Sequence, residues 1–142
     1  MARNQVNVTV DTARLDRLIR QLPGAVDDNI RAIAFAIEAK AKAKAPVDTG
    51  ALRASIYTRT ARDNGYAQAS ADARQRNADA ALQPLPEPGQ HAAVVGPSVS
   101  YAIDVELGTA RRAATPYLTP AVREVGNDLA RRLGQAVEDA AR

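Results

Sequence analysis

The sequence predicts an α+β fold: a small antiparallel sheet of few strands packed against two long helices and shorter ones, with a long mobile loop. Two observations carry that prediction. Two stretches place apolar residues at steps of three and four, and the short β-type runs between them are separated by proline, glycine and polar residues. With 142 residues the chain fits one structural domain, 1–142, able to bury a single modest core.

Val6, Val8 and Val10 alternate with Asn7 and Thr9, the period of a half-buried strand. Asp11 and Thr12 can cap a short helix whose apolar face is Leu15, Leu18, Ile19 and Leu22, closed by Pro23 and Gly24. The next helix is the firmest element, with Val26, Ile30, Ile33, Ile37 and Ala41 on one face. It ends at Pro46 after Lys40, Lys42 and Lys44, whose charge suits the carbonyl-rich end of a helix. A solvated helix end is the favoured reading of these lysines over a DNA-contacting patch. Asp48 then reads as the N-cap of one short helical turn leading into a strand from about Ser55 to Ala61.

From about Arg62 to His91 the periodicity is lost and Ala, Gln, Asn, Asp and Arg dominate, ending in Pro84, Pro86, Pro88 and Gly89. Such a segment offers a core little apolar surface, so a flexible arm is expected at 62–91, with Tyr66, Leu82 and Leu85 as anchors that dock on a neighbouring protein. Ala92 to Val95 is a strand closed by Gly96 and Pro97. Tyr101 to Leu107 reads as a short helix, with Ser100 as cap and Gly108 as its left-handed stop. The last helix starts at Thr119 and Pro120 and carries Val122, Val125, Leu129, Leu133 and Val137. No internal repeat is visible.

Composition narrows function mainly by exclusion. Aromatic residues are 4% of the chain and much of the 46% hydrophobic fraction is alanine, so the core is expected to be thin. With no cysteine and one histidine there is no thiolate or multi-histidine metal site, and no cofactor loop is present. No signal-like or membrane-length apolar run occurs, which points to synthesis in the cytoplasm and no membrane partner. The net charge of +3 is spread along the chain, 19 basic residues against 16 acidic. Arg111, Arg112, Arg131 and Arg132 read as solvated or subunit-contacting rather than phosphate-binding.

Asp48-Thr49-Gly50-Ala51 resembles the active-site loop of aspartic proteases, which need two such aspartates sharing a proton and hence a dimer of this chain. Its setting differs: Asp48 follows a Lys- and Ala-rich helix and a proline, and no later apolar strand is available to brace the loop. Capping is therefore expected of Asp48, with no catalytic residue. His91, beside the proline-rich loop, is expected to be a solvated loop histidine.

Two segments in order resemble the gp-ten-like family of tailed phages, described as tail-component, tail-completion or head-to-tail connector proteins. The first is Val47-Asp48-Thr49-Gly50-Ala51-Leu52-Arg53-Ala54-Ser55-Ile56, following a helix that ends in Ala, Lys and Pro. The second is Tyr101-Ala102-Ile103-Asp104-Val105-Glu106-Leu107-Gly108-Thr109 with Thr115-Pro116-Tyr117-Leu118-Thr119-Pro120-Ala121. Leu107 stands where an aromatic is common, and Tyr117 and Thr119 replace the more usual Phe and Arg. The resemblance implies a non-enzymatic virion protein in the neck, a head-to-tail connector or tail-completion subunit. It would assemble as a homo-oligomeric ring, expected sixfold, beside other neck and tail proteins, with DNA passing through unread. A tail terminator or minor tail protein is the near alternative, and a small DNA-binding protein or a dimeric aspartic protease the distant ones. Arg53 and Glu106, the charged members of otherwise small or apolar motifs, are expected to pair.

Overall fold

The computed structural model describes residues 24–48 and 50–141. Its elements in chain order are α1 (Ala25–Lys44), α2 (Ala51–Ser55), β1 (Ile56–Arg59), α3 (Tyr66–Arg76), β2 (Val94–Pro97), α4 (Ala102–Leu107) and α5 (Leu118–Ala141). The fold is α+β, with two long helices on a two-stranded antiparallel sheet. The strand expected at Val6–Val10 and the helix expected over Leu15–Leu22 lie outside the described residues.

The periodic apolar residues of α1 make the core: Val26, Ile30, Ile33, Ile37 and Ala41 are all buried. They meet Leu118, Ala121, Val125 and Leu133 of α5, with Val122 and Leu129 packed at the margin. The two helices run antiparallel, because Lys40 and Lys44 near the end of α1 hold Glu124 near the start of α5, at 3.0 and 2.6 Å. Lys42 turns back to Glu38 at 2.8 Å. The lysine run is thus occupied with carboxylates of its own subunit. Exposed pairs of this kind add little stability, and burial of the aliphatic seam supplies most of it.

β1 and β2 pair with Ile56 opposite Pro97, Tyr57 opposite Gly96, Thr58 opposite Val95 and Arg59 opposite Val94. The expected closing residues Gly96 and Pro97 are therefore inside the strand. Pro97 has no N–H to give, and the ladder resumes with the Ser98 N–H on the Ser55 carbonyl at 2.9 Å. Side chains alternate between two covers. Ile56 and Val95 join the main core, and the Thr58 hydroxyl donates to Glu38 of α1 at 2.6 Å. Tyr57 and Val94 face a second cluster made with Ala69, Leu85 and Tyr66.

That second cover comes from the segment expected to give the core little. Residues 66–76 form α3, which buries Ala69, Ser70 and Ala73, and Ala73 and Ala80 belong to the main core. Residues 80–85 then cross the sheet as a strap: Gln83 N–H donates to Ser98 O at 2.6 Å and Ser100 N–H to Ala81 O at 3.0 Å. Leu85, 3% exposed, is held at both backbone groups, its N–H on the Tyr57 hydroxyl at 2.6 Å and its carbonyl on Arg59 Nη1 at 2.9 Å. Alanine-on-backbone packing and side-chain-to-backbone bonds do here what large apolar residues do in α1.

Candidate functional site at the meeting of the two motif segments

The two motif segments, about fifty residues apart in sequence, come together beyond the end of α1. A cavity of about 140 Å³ between them is lined by Pro46, Asp48, Gly50 and Leu52 from the first and by Tyr101, Val105 and Arg112 from the second, with Asn77 between. Gly50 is buried in a left-handed conformation at φ 81°, and a Cβ on it would lie 3.0 Å from Arg76 Nη1 and 3.2 Å from Arg76 Cδ. The positive φ favours glycine there, and the mobile Arg76 side chain would have to shift slightly for any Cβ. Burial pushes the Tyr101 phenol up, the Asp48 carboxylate adds to that shift and Arg112 opposes it.

Asp48 is not the cap expected of it. Gly50 occupies the N-cap position of α2, without a side-chain cap bond, because the left-handed Gly50 and the residue before it separate Asp48 from the first turn. Asp48 stands exposed at the cavity rim, and Thr49 lies outside the described residues. Leu52 is buried in the core, while Arg53 is exposed and makes no ion pair among the described residues.

Glu106 takes another partner altogether. It is 4% exposed, and its carboxylate accepts from the N–H groups of Tyr117, Leu118 and Thr119 at 2.9, 3.1 and 2.8 Å and from the Thr119 hydroxyl at 2.6 Å. The expected Arg53–Glu106 pair is therefore absent: α4 aims the carboxylate into the start of α5, where unpaired amides and the positive end of the helix dipole attract it. Burial pushes the Glu106 carboxyl up, but the Thr119 hydroxyl and the three N–H groups outweigh it and hold the carboxyl below its ordinary value. Thr119 donates to this cap rather than opening the helix itself. The helix begins at Leu118, so Pro120 falls on its third residue.

Gly108 ends α4 with φ 77° and ψ 169°, a positive φ as expected but in the extended, glycine-only region rather than the left-handed helical one. A Cβ on it would meet Ala114 N at 2.7 Å. Thr109 and Arg112 close a tight hairpin through Thr109 N–H to Arg112 O at 2.8 Å, and Thr115 N–H returns to Val105 O at 2.8 Å. Residues 109–116, Pro116 included, are all exposed. Beside them Leu107 is 62% exposed, and Val47 of the first segment is 59% exposed. The expected cap of α4, Ser100, instead donates its hydroxyl to Ala81 O at 3.0 Å.

Of the three expected docking anchors, Leu85 is buried in the second cluster against Tyr57 and Val94, whereas Tyr66 and Leu82 are half-buried against the two clusters. His91 is not freely solvated: its Nδ1 lies 2.7 Å from Asp27 Oδ1. Arg76 and Asn77 carry no signal as site residues in the sequence, whereas Arg112 is one of the arginines expected to be solvated or subunit-contacting. Glu106 carried a usable signal, a charge in an apolar helix ten residues before the turn into the last one.

No group of three or more His, Cys, Asp or Glu side chains that could hold a metal ion occurs among the described residues. No helix among them is long and apolar enough to cross a membrane. A family model described as "Bacteriophage HK97-gp10, putative tail-component" matches residues 12–108. The match includes α1, the first motif segment and the second as far as Gly108, and ends before Thr115–Ala121. No curated protein and no solved structure matches the chain.

Proposed function

The chain belongs to the HK97-gp10-like family of bacteriophage tail components, and from that premise we propose that it is a non-enzymatic neck subunit, a tail-completion or head-to-tail connector protein that assembles as a ring around the DNA path. One observation supports the finer reading. The two motif segments meet around one cavity, where buried Glu106 and Gly50 and the closely packed Gly108 hold the backbone while Val47, Leu107, Arg111 and Arg112 are exposed. Exposed apolar residues beside arginines on a braced loop are the composition of a protein contact. Its partners are copies of itself and neighbouring neck and tail proteins, and DNA passes without sequence recognition.

The test is a phage carrying a stop codon early in this gene. Filled heads and finished tails that remain separate, and that join when purified protein is added, are the expected outcome. Overlong tails would identify a terminator instead. Joined particles that fail only in adsorption would identify a minor tail protein, and a protein found on DNA but absent from particles would end the virion reading.

A further inference from the structure

Three large apolar side chains are exposed among the described residues, and they fall on two different surfaces. Leu107 and Val47 belong to the two motif segments that meet around the cavity beside Gly50. Phe35, 39% exposed, rims a cleft of about 460 Å³ between α1 and α3, with residues of β1 between the helices. We propose that the Leu107–Arg112 hairpin of one copy seats in the α1–α3 cleft of the next, a head-to-tail contact between copies; this rests on the ring reading above and says which surfaces make the ring.

Charge supports the pairing. The hairpin presents Arg111 and Arg112, neither in an ion pair among the described residues. The cleft is lined by three carboxylates, Glu38, Asp63 and Asp72, and two cations, Lys42 and Arg62. Four of these five are already matched inside the subunit, Lys42 with Glu38, Asp63 with Arg31 and Arg62 with Asp28. Among the described residues Asp72 takes the Gln68 amide, at 2.9 Å, and no ion pair, which leaves it the uncompensated charge of the cleft. A hairpin carrying two arginines beside an exposed leucine thus complements a cleft that is one negative charge in excess and has an aromatic rim.

The same charges disfavour symmetric contacts. Two hairpins face to face would oppose four arginines, and two clefts would oppose their Asp72 residues. Of these pairings the unlike surfaces match, and a contact between unlike surfaces repeats from copy to copy, giving a ring where the rotation closes and an open filament where it does not. The hairpin is already braced by its own backbone bonds and by the packing of Gly108 on Ala114, so little ordering is needed on docking.

The chain has no cysteine, so introduced thiols report without background. Leu107→Cys and Phe35→Cys replace exposed side chains, and circular dichroism checks that each variant folds. Under mild oxidation, in purified protein at high concentration and in particles grown with the variant gene, the chain carrying both changes should give a ladder of disulfide-linked multiples. An equal mixture of the two single variants should give linked pairs, and either variant alone should give none. Arg111→Glu should cut the cross-linked yield by about tenfold, and adding Asp72→Arg to the same chain should restore it. Pairs from Leu107→Cys alone, or protein present in particles without the mixed link, would overturn the contact and leave the neck reading standing. A ladder in free protein that never enters particles would do the reverse.

Discussion

The two long helices begin in different ways. At the start of α5 one buried carboxylate from another element, Glu106, serves three backbone amides and a hydroxyl. At the start of α1 the cap is Gly24, with no side-chain cap bond, and the first-turn acids reach sideways, Asp27 to His91 and Asp28 to Arg62, each at 2.7 Å. One turn on, Arg31 grips Asp63 with two bonds of 2.7 and 2.9 Å. Both arrangements set carboxylates near a positive helix end, but only one is out of water. Burial, more than the count of bonds, decides which end is costly to disturb.

That contrast is open to measurement. Glu106→Ala should lower unfolding stability by about 3 kcal/mol, since it strands three amides in a dry site, and chemical denaturation reads this directly. Glu106→Gln should lose less. Asp63→Ala should cost about 1 kcal/mol by the same measurement, because the Arg31 grip is partly exposed, although the Thr60 turn is also loosened. Arg62→Ala should change stability by less than about 0.5 kcal/mol, and any effect should fade as salt is added.

Acid titration sharpens the same comparison. The Asp63 carboxyl is lowered from its ordinary 3.8 to about 2, first by its hydrogen bond to Arg31 and then by that to Thr60. A depressed carboxyl contributes stability that is whole above the ordinary value and is lost as pH falls through the folded one, here from about 4 to about 2. Glu106 acts with the same sign, so Glu106→Gln and Asp63→Asn should each flatten part of the acid limb. A flat response in the parent between pH 5 and 2 would contradict both.

The smallest expected effect concerns the segment 62–91, expected from the sequence to be a flexible arm. Amide exchange should divide it: Gln83 and Leu85, whose N–H groups are bonded across the sheet, should exchange slowly, and Glu87 to Gln90 fast. Uniformly fast exchange would restore the arm along its whole length.

The helices α1 and α5 were legible because large aliphatic residues recur at helical spacing, and that pattern has few other solutions. Helix α3 was not, since its buried face is Ala69, Ser70 and Ala73, and alanine and serine mark a buried face no more strongly than an exposed one. The motif segments were legible as words, and their meeting was not. Which amides Glu106 would cap depended on the path of residues 108–116, where one positive-φ glycine and a hairpin set the direction. Asp48 failed for a local reason: a left-handed Gly50 moved the helix start beyond its reach.

The antiparallel seam of α1 and α5 joins Lys40 to Glu124, residues that leave the ribosome far apart in time. Until residues 118–141 are synthesised, the aliphatic stripe of α1 lacks its longest cover, and the Glu106 carboxylate has no amides to accept from. The core therefore closes only once residues 118–141 have been made, rather than progressively behind the ribosome. A nascent chain lacking them would expose that stripe to chaperones, and only chains that include them would present the braced hairpin to other copies.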